Sequence, residues 1–198
     1  FDALVHRGNL EAGQLCLIHA GASGVGTASI QIAKIIGARV ATTASTQKTN
    51  ICKELGAELA IDYTKQDYVK EVSRWTNSNG VNVIVDLVGG EYLARNLKAI
   101  AAKGTIVQVG LMGVGKPEID LGILLQKRLK LIGTVLRSRS QQEKIDLTEK
   151  FSNEMLQKFT DGEFKVCVDT IQSLSDIGEA HKRMEKNLNV GKIIIEIP

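Results

Sequence analysis

An α/β fold organised as a parallel, doubly wound sheet follows from three features of the sequence. Short apolar runs of strand length alternate with longer stretches of helical periodicity along most of the chain. The strand runs are almost continuously apolar, as strands covered on both faces are. A glycine-rich turn, Gly21-Ala22-Ser23-Gly24-Val25-Gly26, closes the first strand and opens the first helix.

The elements follow in order. Leu15–Ala20 is the first strand and Gly24–Ile36 the first helix, with Ile30 and Ala33 at helical spacing. Arg39–Thr43 is the second strand. Gln47–Leu55 is a helix that ends at Gly56 as its C-cap. Leu59–Tyr63 is the third strand and Asp67–Thr76 the next helix. Val81–Asp86 forms a fourth strand, stopped by Gly89-Gly90, and Glu91–Ile100 a helix. Gly104–Gly110 and Leu129–Leu136 complete a six-stranded sheet. After Leu136 the rhythm changes. Gln141–Thr160 reads as a long helix, Val166–Val168 as a short strand, and Ser175–Asn187 as a helix with Ser175 as N-cap. Lys192–Ile197 is a last strand with no helix after it, so it is assigned to another sheet. Phe1-Asp2-Ala3-Leu4 reads as the middle of a helix, so an earlier domain is expected ahead of it.

Composition narrows the function. Of 198 residues, 43% are hydrophobic and 24% charged, as in ordinary globular proteins, and the formal net charge is +3. Lysine and arginine are scattered rather than massed, which argues against a nucleic-acid surface. No apolar run reaches the ~20 residues that span a bilayer, so no membrane role is expected. Cys16, Cys52 and Cys167 stand far apart and make neither a metal-ligand pair nor a disulfide framework. A reducing, cytoplasmic compartment is the expectation.

The glycine turn carries the strongest chemistry. Gly21 suits a tight turn, Gly24 lets backbone approach a pyrophosphate, and Gly26 lets the helix sit close to the strand. A pyrophosphate then meets the free N–H groups around Val25 and the positive end of the helix dipole. Set between strand and helix, the pattern is the fingerprint of a Rossmann dinucleotide-binding unit. Ser23 departs from the usual glycine. Its hydroxyl either donates to phosphate or merely serves the turn.

The end of the second strand selects the cofactor. An NAD-binding unit places Asp or Glu there for the ribose 2′-hydroxyl. Here no acid occurs between Gly26 and Glu54, and Ser45, Thr46 and Lys48 occupy the position. Those donors suit the doubly charged 2′-phosphate of NADPH. Tyr63, ending the third strand, is placed to close over the same phosphate. His19 reads as a packed core histidine, Asp86 as a carboxylate that bonds a loop, and no acid–base pair is recognisable. Arg137 and Arg139 are open to two readings, an anionic acceptor site or a solvated loop pair.

Several segments together resemble the zeta-crystallin and NADPH:quinone oxidoreductase branch of the medium-chain dehydrogenases/reductases. They are His19–Ala28, Gln47-Lys48, Leu55-Gly56-Ala57, Asp62-Tyr63, Asp86–Gly90, Gly110–Gly113, Leu136–Arg139 and Gly191–Ile194. The resemblance implies a zinc-free, NADPH-dependent oxidoreductase that passes hydride to a quinone or another α,β-unsaturated carbonyl. It assigns the 2′-phosphate to Lys48 and Tyr63, strand-end contacts to Leu87, Val88, Gly110 and Met112, and a late contact to Asn189. The nicotinamide is expected near Val88, Leu111 and Leu136. It implies a homodimer, a Rossmann domain over residues 1–136, and residues 137–198 returning toward a GroES-like catalytic domain, most of it absent. An enoyl-thioester reductase and a non-enzymatic NADPH-binding module are the rival functions.

Overall fold

The computed structural model describes residues 1–113 and 115–197. Six strands form one parallel sheet: β1 (Leu15–Ile18), β2 (Arg39–Ala44), β3 (Leu59–Asp62), β4 (Val81–Asp86), β5 (Ile100–Gln108) and β6 (Lys130–Gly133). Their order is β3-β2-β1-β4-β5-β6. The chain reverses direction of travel across the sheet between β1 and β4. This is the doubly wound arrangement, whose strand ends open a crevice at that switch point.

Helix α1 (Gly24–Ile36) has the limits its sequence predicts. Ser23 caps it, and Gly37 ends it in the left-handed conformation at φ 87°. Ile30, Ile32 and Ala33 bury its inner face against Cys16, Ile18 and Val40. α2 (Thr49–Glu54) follows a short 3-10 turn at Thr46–Lys48, so the helix expected from Gln47 is regular only from Thr49. α3 (Tyr68–Trp75) and α4 (Tyr92–Ala99) cover the opposite face, where Tyr68, Val72, Leu93 and Leu97 pack on Ile84 and Ile106. The sequence reading passes over α5 (Leu121–Lys127), which Asp120 caps by accepting from the Ile123 N–H. β5 starts earlier than expected. β6 is an edge strand, shorter than expected and largely exposed.

α6 (Gln141–Thr160) matches its predicted limits and carries a complete capping box between Ser140 and Glu143. Met155 of α6 and the following Phe164 enter the same core as α1. The next strand is not Val166–Val168 but β7 (Val168–Ser173), which pairs in parallel with β8 (Lys192–Glu196) in a separate two-stranded sheet. β8 therefore lies outside the main sheet, as expected. Ser175 is not the N-cap of α7 (Ile177–Glu185). A 3-10 turn at Leu174–Asp176 comes first, held by Ser173 donating to Asp176 at 2.8 Å. None of the described helices is long and apolar enough to cross a membrane.

The first residues form a wide π-type turn, Ala3–Arg7, that buries Leu4. Arg139 is neither a solvated partner of Arg137 nor free for an acceptor. It donates to Asp2 and Thr134, with the Arg139 and Asp2 side chains only 10% and 15% exposed. Burial pushes the Asp2 carboxyl up, but the hydrogen bond and charge of Arg139 outweigh it and hold the group below its ordinary value of 3.8. The pair's stabilisation is therefore full above that value and is lost as pH falls through the lowered one. Arg139→Met leaves the Asp2 carboxylate with only its longer contacts to Arg7 at 3.4 Å and Thr134 at 3.3 Å and is expected to cost about 2 kcal/mol near neutrality, less in acid. Thermal melts at the two pH values check both halves of that statement.

Candidate functional site

The C-terminal ends of all six parallel strands lie along one edge of the sheet, and the residues singled out from the sequence gather there. β1 leads through His19 and Ala20 into the glycine turn. Ala20 takes the left-handed conformation, φ 53°. The Gly21 N–H donates to the Thr43 carbonyl at 2.9 Å, which ties the turn to β2. Ser23 serves the turn: its Oγ accepts from the Gly26 N–H at 2.9 Å and caps α1, and its O–H proton is not used by that bond. Gly24 and Val25 keep first-turn N–H groups that have no partner within the helix.

Two glycines are required by close approach. A Cβ at Gly26 would stand 2.6 Å from the Gly21 Cα and 2.7 Å from its carbonyl carbon, so helix and turn touch backbone to backbone. A Cβ at Gly24 would lie 2.8 Å from Lys192 Nζ and 2.9 Å from its Cδ. The space that a side chain at Gly24 would take is occupied by the end of the Lys192 side chain. Lys192 arrives there because the Gly191 N–H donates to the Ala22 carbonyl at 2.8 Å and Gly191 bridges Ser23. The sequence reading missed this cation. Its signal was the basic residue after Gly191, which becomes meaningful only once β8 is docked.

At the end of β2, Ser45 is half-buried and begins the 3-10 turn. Lys48 is buried rather than solvated, at 8% exposure, and its Nζ donates to the Asn187 Oδ1 at 2.8 Å. Burial draws its ammonium below the ordinary lysine range, with the charge of nearby Asp169 working against that. Asp169 itself accepts from Arg183 at 2.6 and 3.1 Å and from the Val190 N–H at 3.1 Å. Thr46 is not free for a phosphate. Its hydroxyl donates to Asp62, which also accepts from the Thr64 hydroxyl at 2.6 Å. Tyr63 follows β3 and is 43% exposed. Asn187 is thus the partner of Lys48. Asn189 is half-buried two positions before the Gly191 contact with the turn.

The other end of the crevice is built from the loops after β4, β5 and β6. Leu87 is buried and Val88 half-buried. The Gly113 N–H donates to the Val88 carbonyl at 2.7 Å, and Gln108 donates to the Gly110 carbonyl at 2.7 Å. Leu111, Met112 and Leu136, in the loops after β5 and β6, are exposed at 74%, 67% and 56%. Asp86 plays the loop-bonding role expected of it. One oxygen accepts from the Val88 and Gly89 N–H groups at 2.7 and 2.9 Å, and the other from Asn96 at 2.9 Å. His19 is fully buried, as expected. Burial raises the Cys16 thiol to about 12 and the Cys52 thiol to about 11, far from nucleophilic readiness. Among the described residues, no three His, Cys, Asp or Glu side chains gather as a metal site would need.

Known proteins share this architecture. The family model described as zinc-binding dehydrogenase matches residues 24–153. The quinone oxidoreductase-like protein 2 homolog of Nematostella vectensis is 32% identical over 197 residues, covering 98% of this chain and 54% of that protein. The crystal structure of Escherichia coli quinone oxidoreductase complexed with NADPH superposes with a TM-score of 0.85 at 30% identity, covering 100% of this chain and 61% of that one. CurK enoyl reductase superposes with a TM-score of 0.81 at 27% identity, covering 100% of this chain and 58% of that one. The chain spans about half the length of the curated quinone oxidoreductases and quinone oxidoreductase-like relatives it matches.

Proposed function

Because the chain belongs to the zinc-binding dehydrogenase family, as the Rossmann part of a quinone-oxidoreductase-like member of the medium-chain dehydrogenases/reductases, we propose that it holds NADPH for reduction of a quinone or other α,β-unsaturated carbonyl. The observation that carries this reading is the end of β2, where no acid of that strand or its following turn is present and Lys48 and Ser45 stand instead. A ribose 2′-phosphate accepts charge-assisted hydrogen bonds from such a pair, whereas neither β2 nor its turn offers a 2′-hydroxyl a carboxylate, and Asp62 of β3 is engaged by Thr46 and Thr64. Lys48 exchanges Asn187 for the phosphate, and Tyr63 covers it from β3.

The glycine turn fits a pyrophosphate on the same grounds. Free N–H groups of Gly24 and Val25 point outward from the start of α1, and Lys192 adds a cation across Gly24. Leu87, Val88, Gly110, Met112 and Leu136 form the wall for the nicotinamide half and exclude water from one side of it, and Asn189 adds a late contact to the cofactor. When bound, NADPH supplies the hydride. The chain contributes grip and orientation, and no acid–base residue is assigned. Residues 137–198 are read as returning toward a catalytic domain that completes the acceptor pocket. The branch is read as zinc-free, so turnover survives chelation. A homodimer is part of the reading, with the open edge of β6 as the surface for a second copy. Light scattering of the full-length protein tests that.

Titration followed by nicotinamide fluorescence is the direct test of the cofactor. NADPH binds at least about ten-fold more tightly than NADH, the least that one charge-assisted bond provides. Equal affinities overturn the assignment. The likeness to CurK enoyl reductase favours one second reading, reduction of an enoyl thioester. Turnover of a crotonyl thioester but not of a quinone selects it. Tight NADPH binding by the full-length protein, with neither acceptor turned over, selects a non-enzymatic binding module.

A further inference from the structure

We propose that Asn96 is a positioning residue: it links the turn before α1 to the loop after β4 through one unbroken hydrogen-bonded chain, so that a dinucleotide is gripped at both ends at a set separation. The inference rests on the cofactor reading above.

His19, Asn96 and Asp86 are each fully buried. Chemistry orients every link. Asp86 accepts, so the Asn96 amide nitrogen faces it, at 2.9 Å. The Asn96 oxygen therefore faces the other way, where it accepts from the Tyr68 hydroxyl at 3.0 Å and meets His19 Nε2 at 2.8 Å. Nε2 must then carry the imidazole proton. Burial lowers the pKa of His19, against the pull of Asp86, which favours the neutral ring, and in that ring Nδ1 is bare. Nδ1 accepts from the Thr43 hydroxyl at 3.1 Å, and the Thr43 oxygen in turn accepts from the Ala20 N–H at 3.3 Å.

Each end of this chain holds a left-handed residue in the cleft wall. Thr43 holds Ala20, φ 53°, one residue before Gly21. Asp86 holds Gly89, φ 67°, beside Val88. The middle is walled by aromatic rings. Tyr68 and Tyr92 both meet the His19 ring edge-on at 4.8 Å. Arg95 lies 4.2 Å over Tyr68 and pairs with Asp67 at 2.8 Å. His19, Asp86, Tyr68, Tyr92, Arg95 and Asp67 are thus the titratable or charged groups around Asn96. Apolar residues of similar shape would pack here at little loss of stability. What they lack is direction, and a satisfied polar network supplies it.

Asn96→Asp tests the link without changing shape. The new carboxyl still accepts from His19 and Tyr68, but it reaches Asp86 only while the two carboxyls share a proton. Dissociation constants are read for NADPH, which spans both ends, and for adenosine 2′,5′-bisphosphate, which stops at the turn. Relative to wild type, NADPH affinity is near unchanged at about pH 5.5 and falls about ten-fold by about pH 8.5, while the bisphosphate shifts less than about two-fold. A flat NADPH ratio, or equal weakening of both ligands, overturns the proposal. Should the variant not fold, Thr43→Val removes the hydroxyl link instead. About five-fold weaker NADPH binding supports the proposal and unchanged binding overturns it. Nitrogen NMR of the wild-type His19 ring needs no cofactor. It shows the proton on Nε2 in this arrangement, and a proton on Nδ1 alone breaks the chain. Absence of NADPH binding to wild type would instead strike the cofactor reading, leaving the ring signature to judge the chain by itself.

Discussion

Gly26→Ala is expected to abolish dinucleotide binding, with affinity reduced about a hundred-fold or more and stability by about 1–3 kcal/mol. The added methyl would run into the Ala20 carbonyl and the Gly21 backbone. Backbone cannot rotate aside as a side chain can. Ala20 is already held in a left-handed conformation by the Thr43 hydroxyl, and the Gly21 N–H by the Thr43 carbonyl. Either α1 withdraws from β1, or the turn opens. Both outcomes break the Ser23 cap on Gly26 and misdirect the N–H groups of Gly24 and Val25. Fluorescence titration beside thermal melts separates the two effects. A folded variant with wild-type NADPH affinity would show that this turn is not where the pyrophosphate rests.

Lys48→Ala should lower NADPH affinity about ten- to a hundred-fold while changing NADH affinity less than about two-fold, since a hydrogen bond to a charged group contributes about 1.5–3 kcal/mol. The contribution sits toward the upper end because Lys48 is largely buried and its rival partner, Asn187, is neutral. Equal weakening of both cofactors would sink the 2′-phosphate assignment. A pH dependence follows from the same burial. The Lys48 ammonium titrates below the ordinary lysine range in the free protein, and a bound phosphate raises it again. NADPH affinity therefore falls as pH rises through the lowered value, NADH affinity does not, and the preference between them shrinks in alkali. Parallel titrations of the two cofactors across that range read the difference directly.

Much of this scaffold is legible from local pattern. The limits of α1 were readable because Ser23, Gly26 and Gly37 act on their immediate neighbours, as do Ser140 and Glu143 at the start of α6. β4 was readable because an uninterrupted apolar run can bury both faces. Where the local signal is weak the reading failed. α5 is a short helix whose residues are not buried, so its apolar positions mark no face. β7 was displaced because a strand begins where its partner does, and Val168 pairs with Lys192 across the whole of α7.

The candidate site divides along the same line. Sequence alone determined a glycine-rich turn between the first strand and helix, the absence of an acid in β2 and its turn, and the presence of Ser45 and Lys48 there, because each is a matter of residue type within a few positions. Tertiary structure alone decided that Lys48 is buried against Asn187 and that Thr46 is spent on Asp62. It also decided that Arg139 belongs to Asp2, that Lys192 fills the space Gly24 leaves, and that Asn96 joins His19 to Asp86. Most of these are pairings between residues far apart in the chain, and all of them cross between separate elements. Periodicity and propensity report how a segment folds on itself. Which distant polar group a buried side chain meets is set only when the sheet closes and the helices pack upon it.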